Sequence, residues 1–197
     1  MKATDILMDE HRVIEQVLAC LERLADDCHA GGKLDVVSAR EALDFFRNFA
    51  DHCHHGKEEG HLFPLLEAKG FVRESGPTGV MLHEHEEGRR LIAAIAAAVE
   101  SNDRNEFVRH ARAYIRLLRE HIHKEDHCLF PMVARMLSDT DADSLSWSFD
   151  RVESAEMGEG THEQYLQRAN EFADRLGVPR ARVASTCGHA GCGHYQG

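Results

Sequence analysis

Apolar residues recur every three or four positions along most of this chain, with polar residues between them. Leu7, Ile14 and Leu18 belong to the first such stripe, and a period of about 3.6 residues is typical of amphipathic α-helices. Breaks at Gly31 and Pro77 separate periodic segments. The pattern predicts four long helices, at about residues 4–27, 35–68, 77–101 and 105–137.

The connections between these helices are short, which makes neighbouring helices antiparallel. The sequence therefore predicts an all-α fold in which residues 1–140 form an antiparallel up-down four-helix bundle. Two shorter amphipathic stretches, at about 143–153 and 161–176, predict extra C-terminal helices packed on the bundle within residues 141–178. The last residues, 179–197, are rich in cysteine, histidine and glycine and predict a flexible, disordered tail.

An internal repeat relates the first half of the predicted bundle to the second. The segment DEHRVIEQVL resembles HEHEEGRRLI, and HHGKEEGHLFP resembles HIHKEDHCLFP. The chain therefore contains one helix pair twice. Alignment of the repeats pairs His11 with His85, His54 with His121 and Glu58 with Glu125.

The repeated histidines and glutamates predict a metal site. A His and a Glu four residues apart lie on one helix face, where one cation can contact both side chains. Two such pairs, with one further His from each remaining helix, make a two-metal site inside a bundle. Burying these groups without a cation would cost many kcal/mol. The predicted metal ligands are His11, His54, Glu58, His85, His121 and Glu125.

The apolar stripes distinguish between adjacent histidines. Ala50 and Leu43 precede His54 at helical spacing, whereas His55 follows Asp51 on a polar face. The same comparison favours His85 over His83 in the third helix and His121 over His123 in the fourth. We expect the flanking residues to be solvated or to orient the ligands through hydrogen bonds. This flanking set comprises His55, Glu59, His61, His83, His123 and His127.

The ligand types limit the choice of metal. Mixed imidazole and carboxylate ligands suit iron, manganese or zinc. Two bridging glutamates favour a pair of ions a few ångströms apart. Iron is the preferred assignment, and Zn and Mn are the alternatives.

Composition excludes several other classes of function. The 23 basic against 34 acidic residues argue against binding to nucleic acid or to an anionic membrane surface. No apolar run approaches the roughly 20 residues that cross a bilayer, and the first residues do not resemble a signal peptide. We therefore expect a cytoplasmic protein. No nucleotide-binding fingerprint or Ser/His/Asp pattern favours a hydrolase or a nucleotide-dependent enzyme.

The segments HHGKEEGHLFP, HIHKEDHCLFP and GPTGVMLHEHEEGR resemble the hemerythrin-like family, which is described by its HHE cation-binding motif. The resemblance covers about residues 4–137. It implies a four-helix bundle with a non-haem di-iron centre, in which two oxo- or hydroxo-bridged iron ions share carboxylates. Carried over by position, the resemblance makes Glu58 and Glu125 the bridges and makes His11, His54, His85 and His121 the terminal ligands.

The chain departs from the oxygen-carrying hemerythrins at one ligand position. Those proteins have a His-x3-His pair on the third helix, whereas here Met81 and Arg89 stand four residues either side of His85. The fourth helix carries His121-x3-Glu125 in place of their His-x4-Asp. The set is more similar to that of iron–sulfur-repair di-iron proteins and of the iron-sensing hemerythrin domain of a ubiquitin ligase subunit. One imidazole fewer leaves coordination open to water, oxide, peroxide or nitric oxide, which argues against simple oxygen carriage.

Two classes of function fit this resemblance. The first is a protein that binds or senses oxygen, nitric oxide or iron, so the expected partner is a small diatomic or peroxide ligand. The second is an enzyme that turns over peroxide or nitric oxide, and the sequence identifies no catalytic residue for it. Iron storage or delivery is a third hypothesis, supported only by the tail pairs Cys187–His189 and Cys192–His194.

Overall fold

The computed structural model describes residues 3–74 and 76–183, and every regular element in those ranges is helical. Six helices follow one another along the chain. Three of them, α2, α4 and α5, change between α- and π-helical geometry along their length. The helices are α1 (Ala3–His29), α2 (Val36–Phe45, Phe46–His55, Glu58–Leu62 and Phe63–Ala68), α3 (Pro77–Glu100), α4 (Arg104–Lys124, Glu125–Leu129 and Phe130–Met136), α5 (Asp139–Arg151, then Val152–Met157) and α6 (Thr161–Leu176).

Local sequence signals explain where these helices begin. The side chain of Asp35 accepts a hydrogen bond from the first turn of α2, and Asp103 does the same for α4. Pro77 is the first residue of α3, where its missing N–H costs nothing. Ser138 and Asp141 form a reciprocal capping box, and α5 therefore begins earlier than the predicted residue 143. The four long helices end within a few residues of their predicted limits.

A π-helical turn follows the predicted ligand histidine in both α2 and α4. In α2 the N–H of Phe63 bonds the carbonyl of Glu58, five residues earlier, just before Pro64. In α4 the equivalent turn is Glu125–Leu129, before Pro131. A proline inside an α-helix has no N–H and clashes with the carbonyl four residues earlier. The extra residue in the turn accommodates the proline without ending the helix.

A layer of polar residues separates two apolar cores in the bundle formed by α1–α4. The large core includes Leu18, Phe46, Ile95 and Phe107. The small core includes Leu7, Phe63, Met81 and Phe130. Along α1 and α3 the small core comes first, whereas along α2 and α4 the large core comes first. A four-helix bundle fits this arrangement, with the polar layer at one height in all four long helices.

Helices α5 and α6, called the extension below, pack against the bundle. Phe149 of α5 is fully buried in the small core, while Phe172 of α6 lies in the large core. The side-chain amide of Gln16 donates to the carbonyl of Ala169 at 2.8 Å, which ties α1 to α6. None of the helices in the described ranges is long and apolar enough to cross a membrane. The Cys187–His189 and Cys192–His194 pairs of the expected tail lie outside the described residues.

Candidate metal centre

The polar layer brings together all six residues predicted as metal ligands. Each of these side chains is at most 1% exposed, and they come from all four long helices of the bundle. The Nε2 atoms of His11 and His121 each lie 3.2 Å from Oε2 of Glu125. Nε2 of His85 lies 3.5 Å from Oε2 of Glu58. The imidazole nitrogens therefore converge on the two carboxylates at the centre of the bundle.

Two overlapping groups of ligand atoms share this layer. Within each group the ligand atoms lie within 4.8 Å of one another, and Glu58 belongs to both groups. A carboxylate shared by two such groups is placed to bridge two cations. Subsite A consists of His11, His54, Glu58 and Glu125, and subsite B consists of His55, Glu58, His85 and His121.

Several ligand atoms of the site are buried without a hydrogen-bond partner among the described residues. They are Nε2 of His11 and of His54 and both carboxylate oxygens of Glu58 and of Glu125. Leaving a buried polar atom unpaired costs about 1–3 kcal/mol, and more if it is charged. Six unpaired atoms that face one another are therefore expensive as a packed core and fit the coordination of cations.

The outer nitrogen of each predicted ligand histidine donates to a carboxylate from another helix. Such a bond fixes the tautomer and the ring orientation, so that Nε2 is left for a metal. The same bond also raises the basicity of the ring. The four pairs from Nδ1 to carboxylate oxygen are His11–Asp126 at 2.7 Å, His54–Glu10 at 2.9 Å, His85–Glu59 at 2.7 Å and His121–Glu84 at 3.0 Å.

Basic side chains pair with these outer carboxylates and neutralise their charge. Buried Lys57 donates to Glu10, which also accepts from His162 of the extension at 3.0 Å. Burial alone would raise the pKa of Glu10, but these partners outweigh it and hold that pKa well below its ordinary value. The remaining outer carboxylates are paired as Asp126 with Arg12, Glu59 with Arg89 and Glu84 with Lys124.

The pKa values of the two central carboxylates are shifted in opposite directions. Burial raises the pKa of Glu58 well above its ordinary value, and the neighbouring charge of Glu125 raises it further. Burial acts in the same direction on Glu125, but His121 and His11 outweigh it and hold the pKa of Glu125 well below its ordinary value. Burial also lowers the pKa of His54 to about 4, whereas at His121 the charge of Glu125 outweighs burial and raises the pKa to about 9. A metal ligand is a neutral imidazole, so metal binding at His121 would release a proton.

The internal repeat predicts the outer carboxylates as well as the ligands. Each outer carboxylate binds a histidine of a neighbouring helix, and the two halves of the repeat form the same pattern of pairs. Alignment of the repeats pairs Glu10 with Glu84, Glu59 with Asp126 and Lys57 with Lys124. Of these outer residues, sequence reasoning singled out only Glu59 as a candidate. The repeat carried the signal for the others.

His55 contradicts the expectation that it faces solvent. Its side chain is 5% exposed, and its ring stacks on that of His85 with centroids 3.8 Å apart. The expectation assumed 3.6 residues per turn, but the segment Phe46–His55 is π-helical. A wider turn changes which residues share a face. Of the others in the flanking set, Glu59 orients His85, while His83, His123 and His127 are exposed.

A third group of possible ligands already contains a cation of the protein itself. Glu10, Glu153 and His162 offer atoms within 4.8 Å of one another, where the extension meets the bundle. However, the buried ammonium of Lys57 contacts Glu10 and lies 2.5 Å from Oε1 of Glu153. We therefore interpret this cluster as an ion-pair network that joins the extension to the metal-site layer.

These observations define the protein as a helical bundle with a buried imidazole and carboxylate cluster, an architecture that binds metal cations. The sequence model of the hemerythrin HHE cation binding domain matches residues 2–133, and the chain belongs to this family. The matched region contains all six predicted ligands, whereas the extension lies beyond it.

Comparison with curated proteins gives relatives whose own names state no function. The chain is similar to an uncharacterized protein of Mycobacterium bovis and to uncharacterized proteins of two Mycobacterium tuberculosis strains. Each is 26% identical over 182 residues, which cover 89% of this chain and 71% of the relative. No solved structure matches the chain significantly.

Proposed function

We propose that this protein holds a non-haem di-iron centre that binds or senses a small ligand. The observation that carries the proposal is the set of six buried ligand atoms without hydrogen-bond partners among the described residues. Two bound cations would satisfy all of these atoms at once. The proposed ligands are His11, His54, Glu58, His85, His121 and Glu125, with the two glutamates as bridges.

The donor set favours iron over zinc. Structural zinc sites are closed and tetrahedral, and they are often built from thiolates. This centre has imidazole and carboxylate donors and no cysteine within either subsite. Shared carboxylates suit a pair of ions joined by an oxo or hydroxo bridge. Mn and Zn are the alternatives, and a measurement of metal content tests them.

The proposal takes the four long helices as an antiparallel up-down bundle. The alternating order of the large and small cores along successive helices supports this arrangement. In such a bundle the two halves of the internal repeat are related by a twofold axis that passes between the subsites. Glu58 and Glu125 would then be equivalent bridges.

The surroundings of the centre leave room for a small ligand. The predicted metal ligands are at most 1% exposed. A cavity of about 220 Å³ lies beside the imidazoles of His55, His85 and His121, with Phe46 and Ile92 among its apolar walls. Oxygen, nitric oxide or peroxide would fit such a space. The net charge of −11 supports no role in binding nucleic acid.

An optical titration of the iron-loaded protein tests the binding function. We expect nitric oxide or oxygen, added to the anaerobic reduced protein, to change the spectrum with one equivalence point per centre. Glu120→Gln, a change at an exposed position of α4, is the control and should titrate like the wild type. An unchanged spectrum in a protein that contains two irons would contradict ligand binding.

The cavity beside the centre favours turnover of peroxide or nitric oxide as the second candidate. Open positions on adjacent metal ions are suited to such chemistry. Steady turnover well above that of free iron, and its loss in Glu58→Ala, would support an enzyme. Absence of turnover by the fully loaded protein would leave the binding function. Iron storage or delivery rests only on the pairs Cys187–His189 and Cys192–His194, which lie outside the described residues.

A further inference from the structure

The internal repeat makes the two subsites nearly equivalent. His11 and His54 of subsite A correspond to His85 and His121 of subsite B, and the central glutamates correspond to each other. The outer carboxylates follow the same symmetry. A centre built only from these residues would hold its two metal ions in similar environments.

Position 55 breaks this symmetry. Alignment of HHGKEEGHLFP with HIHKEDHCLFP pairs His55 with Ile122. Both side chains are buried, at 5% and 2% exposure, but only the imidazole can ligate a metal. One half of the bundle therefore has a donor where the other half has a hydrocarbon side chain.

The environment of His55 matches that of the predicted ligand histidines. A ligand atom of His55 lies within 4.8 Å of the ligand atoms of Glu58, His85 and His121. Nδ1 of His55 donates to Oδ1 of Asp51 at 3.2 Å, as the other four rings donate to their own carboxylates. Arg89 contacts Asp51 in turn, at 2.8 Å. Nε2 is therefore left as the nitrogen available to a cation.

We propose that His55 is the third imidazole of subsite B, so that the centre is asymmetric. Subsite B then has three imidazoles, whereas subsite A has two. The imidazole that the third helix lacks is supplied by the second helix. This inference rests on the proposed di-metal function and gives its two metal ions different ligand sets.

Substitution at the two corresponding positions tests the asymmetry directly. His55→Ile makes position 55 equal to position 122, and Ile122→His adds the corresponding imidazole to the other half. His52→Ala, at an exposed position of the same helix, is the matched control. His55→Phe keeps a ring that can stack on His85 but has no donor nitrogen, so it separates packing from ligation.

Two readouts distinguish the outcomes, namely competition titration with Co(II) and Mössbauer spectroscopy of protein loaded with iron-57. We expect two unequal iron sites in the wild type and in His52→Ala. His55→Ile and His55→Phe should weaken the tighter site about tenfold or more and make the two iron signals alike. Ile122→His should strengthen the weaker site.

Wild-type affinities and unequal signals in both His55 variants would overturn the inference while leaving the di-metal proposal intact. A wild-type protein that binds no pair of metal ions would overturn the proposed function instead. Circular dichroism of the metal-free variants shows whether each one folds. If His55→Ile fails to fold, His55→Phe and Ile122→His still decide the question.

Discussion

Nδ1 of His11 donates a hydrogen bond of 2.7 Å to Oδ1 of Asp126, across 115 residues of sequence. The two residues belong to the first and the last long helix of the bundle. Arg12, the neighbour of His11, contacts the second oxygen of the same carboxylate. One side chain of α4 thus both orients a predicted metal ligand of α1 and pairs with a cation of α1.

Asp126→Asn tests this orienting role. An amide still accepts a hydrogen bond from His11 but lacks the charge that raises the basicity of the imidazole. We expect the metal affinity of subsite A to fall about 10- to 100-fold while the fold is retained. Competition titration with a chelating dye measures the change. Glu120→Gln is the control, and equal affinities in the two variants would contradict an orienting role for Asp126.

Glu58→Gln separates the charge of a central carboxylate from its shape. Burial and the charge of Glu125 raise the pKa of Glu58 well above its ordinary value of 4.5. When folding raises the pKa of a carboxyl group, the protonated group stabilises the folded protein. This stabilisation is lost as pH rises from the pKa in the unfolded state through the pKa in the folded state. Glutamine resembles the protonated acid and does not titrate.

We therefore expect the metal-free variant to lose less stability than the metal-free wild type between about pH 5 and pH 7. Urea denaturation at the two pH values gives the comparison. The same variant should fail to hold the normal metal content, because it lacks the shared carboxylate. Parallel pH dependence in both proteins would show that Glu58 is ionised in the metal-free state.

Lys57 and Lys124 occupy equivalent positions of the repeat but differ in burial. Lys57 is fully buried between Glu10 and Glu153, whereas the Lys124 side chain is 38% exposed beside Glu84. Removing one partner of a buried ion pair costs about 3–5 kcal/mol, and removing one partner of an exposed pair about 1 kcal/mol or less. Lys57→Met should therefore destabilise the protein by several times as much as Lys124→Met in urea denaturation. Equal losses would mean that Lys57 is not the stabilising cation of this network.

Phe149 tests whether the extension is part of one cooperative fold. Its ring is fully buried in the small core, together with Leu7 and Phe63 of the bundle. Phe149→Ala should cost about 3–5 kcal/mol through lost burial and the resulting cavity. Trp147→Ala, at a side chain that is 61% exposed in the same helix, should change stability by about 0.5 kcal/mol or less. A single thermal transition, shifted only by the first variant, is the expected result, and two separate transitions would contradict it.

Much of the fold follows from the sequence because helical periodicity is a local signal. The stripe through Leu43 and Ala50 correctly placed His54 in the interior, and Pro77 marked the start of α3. The same reasoning was wrong for His55, because a π-helical segment changes the rotation per residue without altering the apolar pattern. The apolar pattern therefore does not predict that segment.

The pairing of outer carboxylates with histidines depends on contacts between helices. His54 and Glu10 are 44 residues apart, and His11 and Asp126 are 115 apart. Single-helix reasoning cannot give such pairs, although the repeat does predict that they occur in symmetric sets. Neither helical periodicity nor the repeat predicts that His162 contacts Glu10 or that Glu153 contacts Lys57, because the extension has no counterpart in the repeat.

Metal analysis of the purified protein is the most direct test of the central claim. The full chain would be isolated from iron-supplied cells without added chelator, and its metals and protein concentration measured by elemental and amino-acid analysis. We expect about two iron ions per chain in the wild type, and a clear loss of iron in Glu58→Gln. A wild-type protein with no stoichiometric metal, or with iron content unchanged by Glu58→Gln, would contradict it.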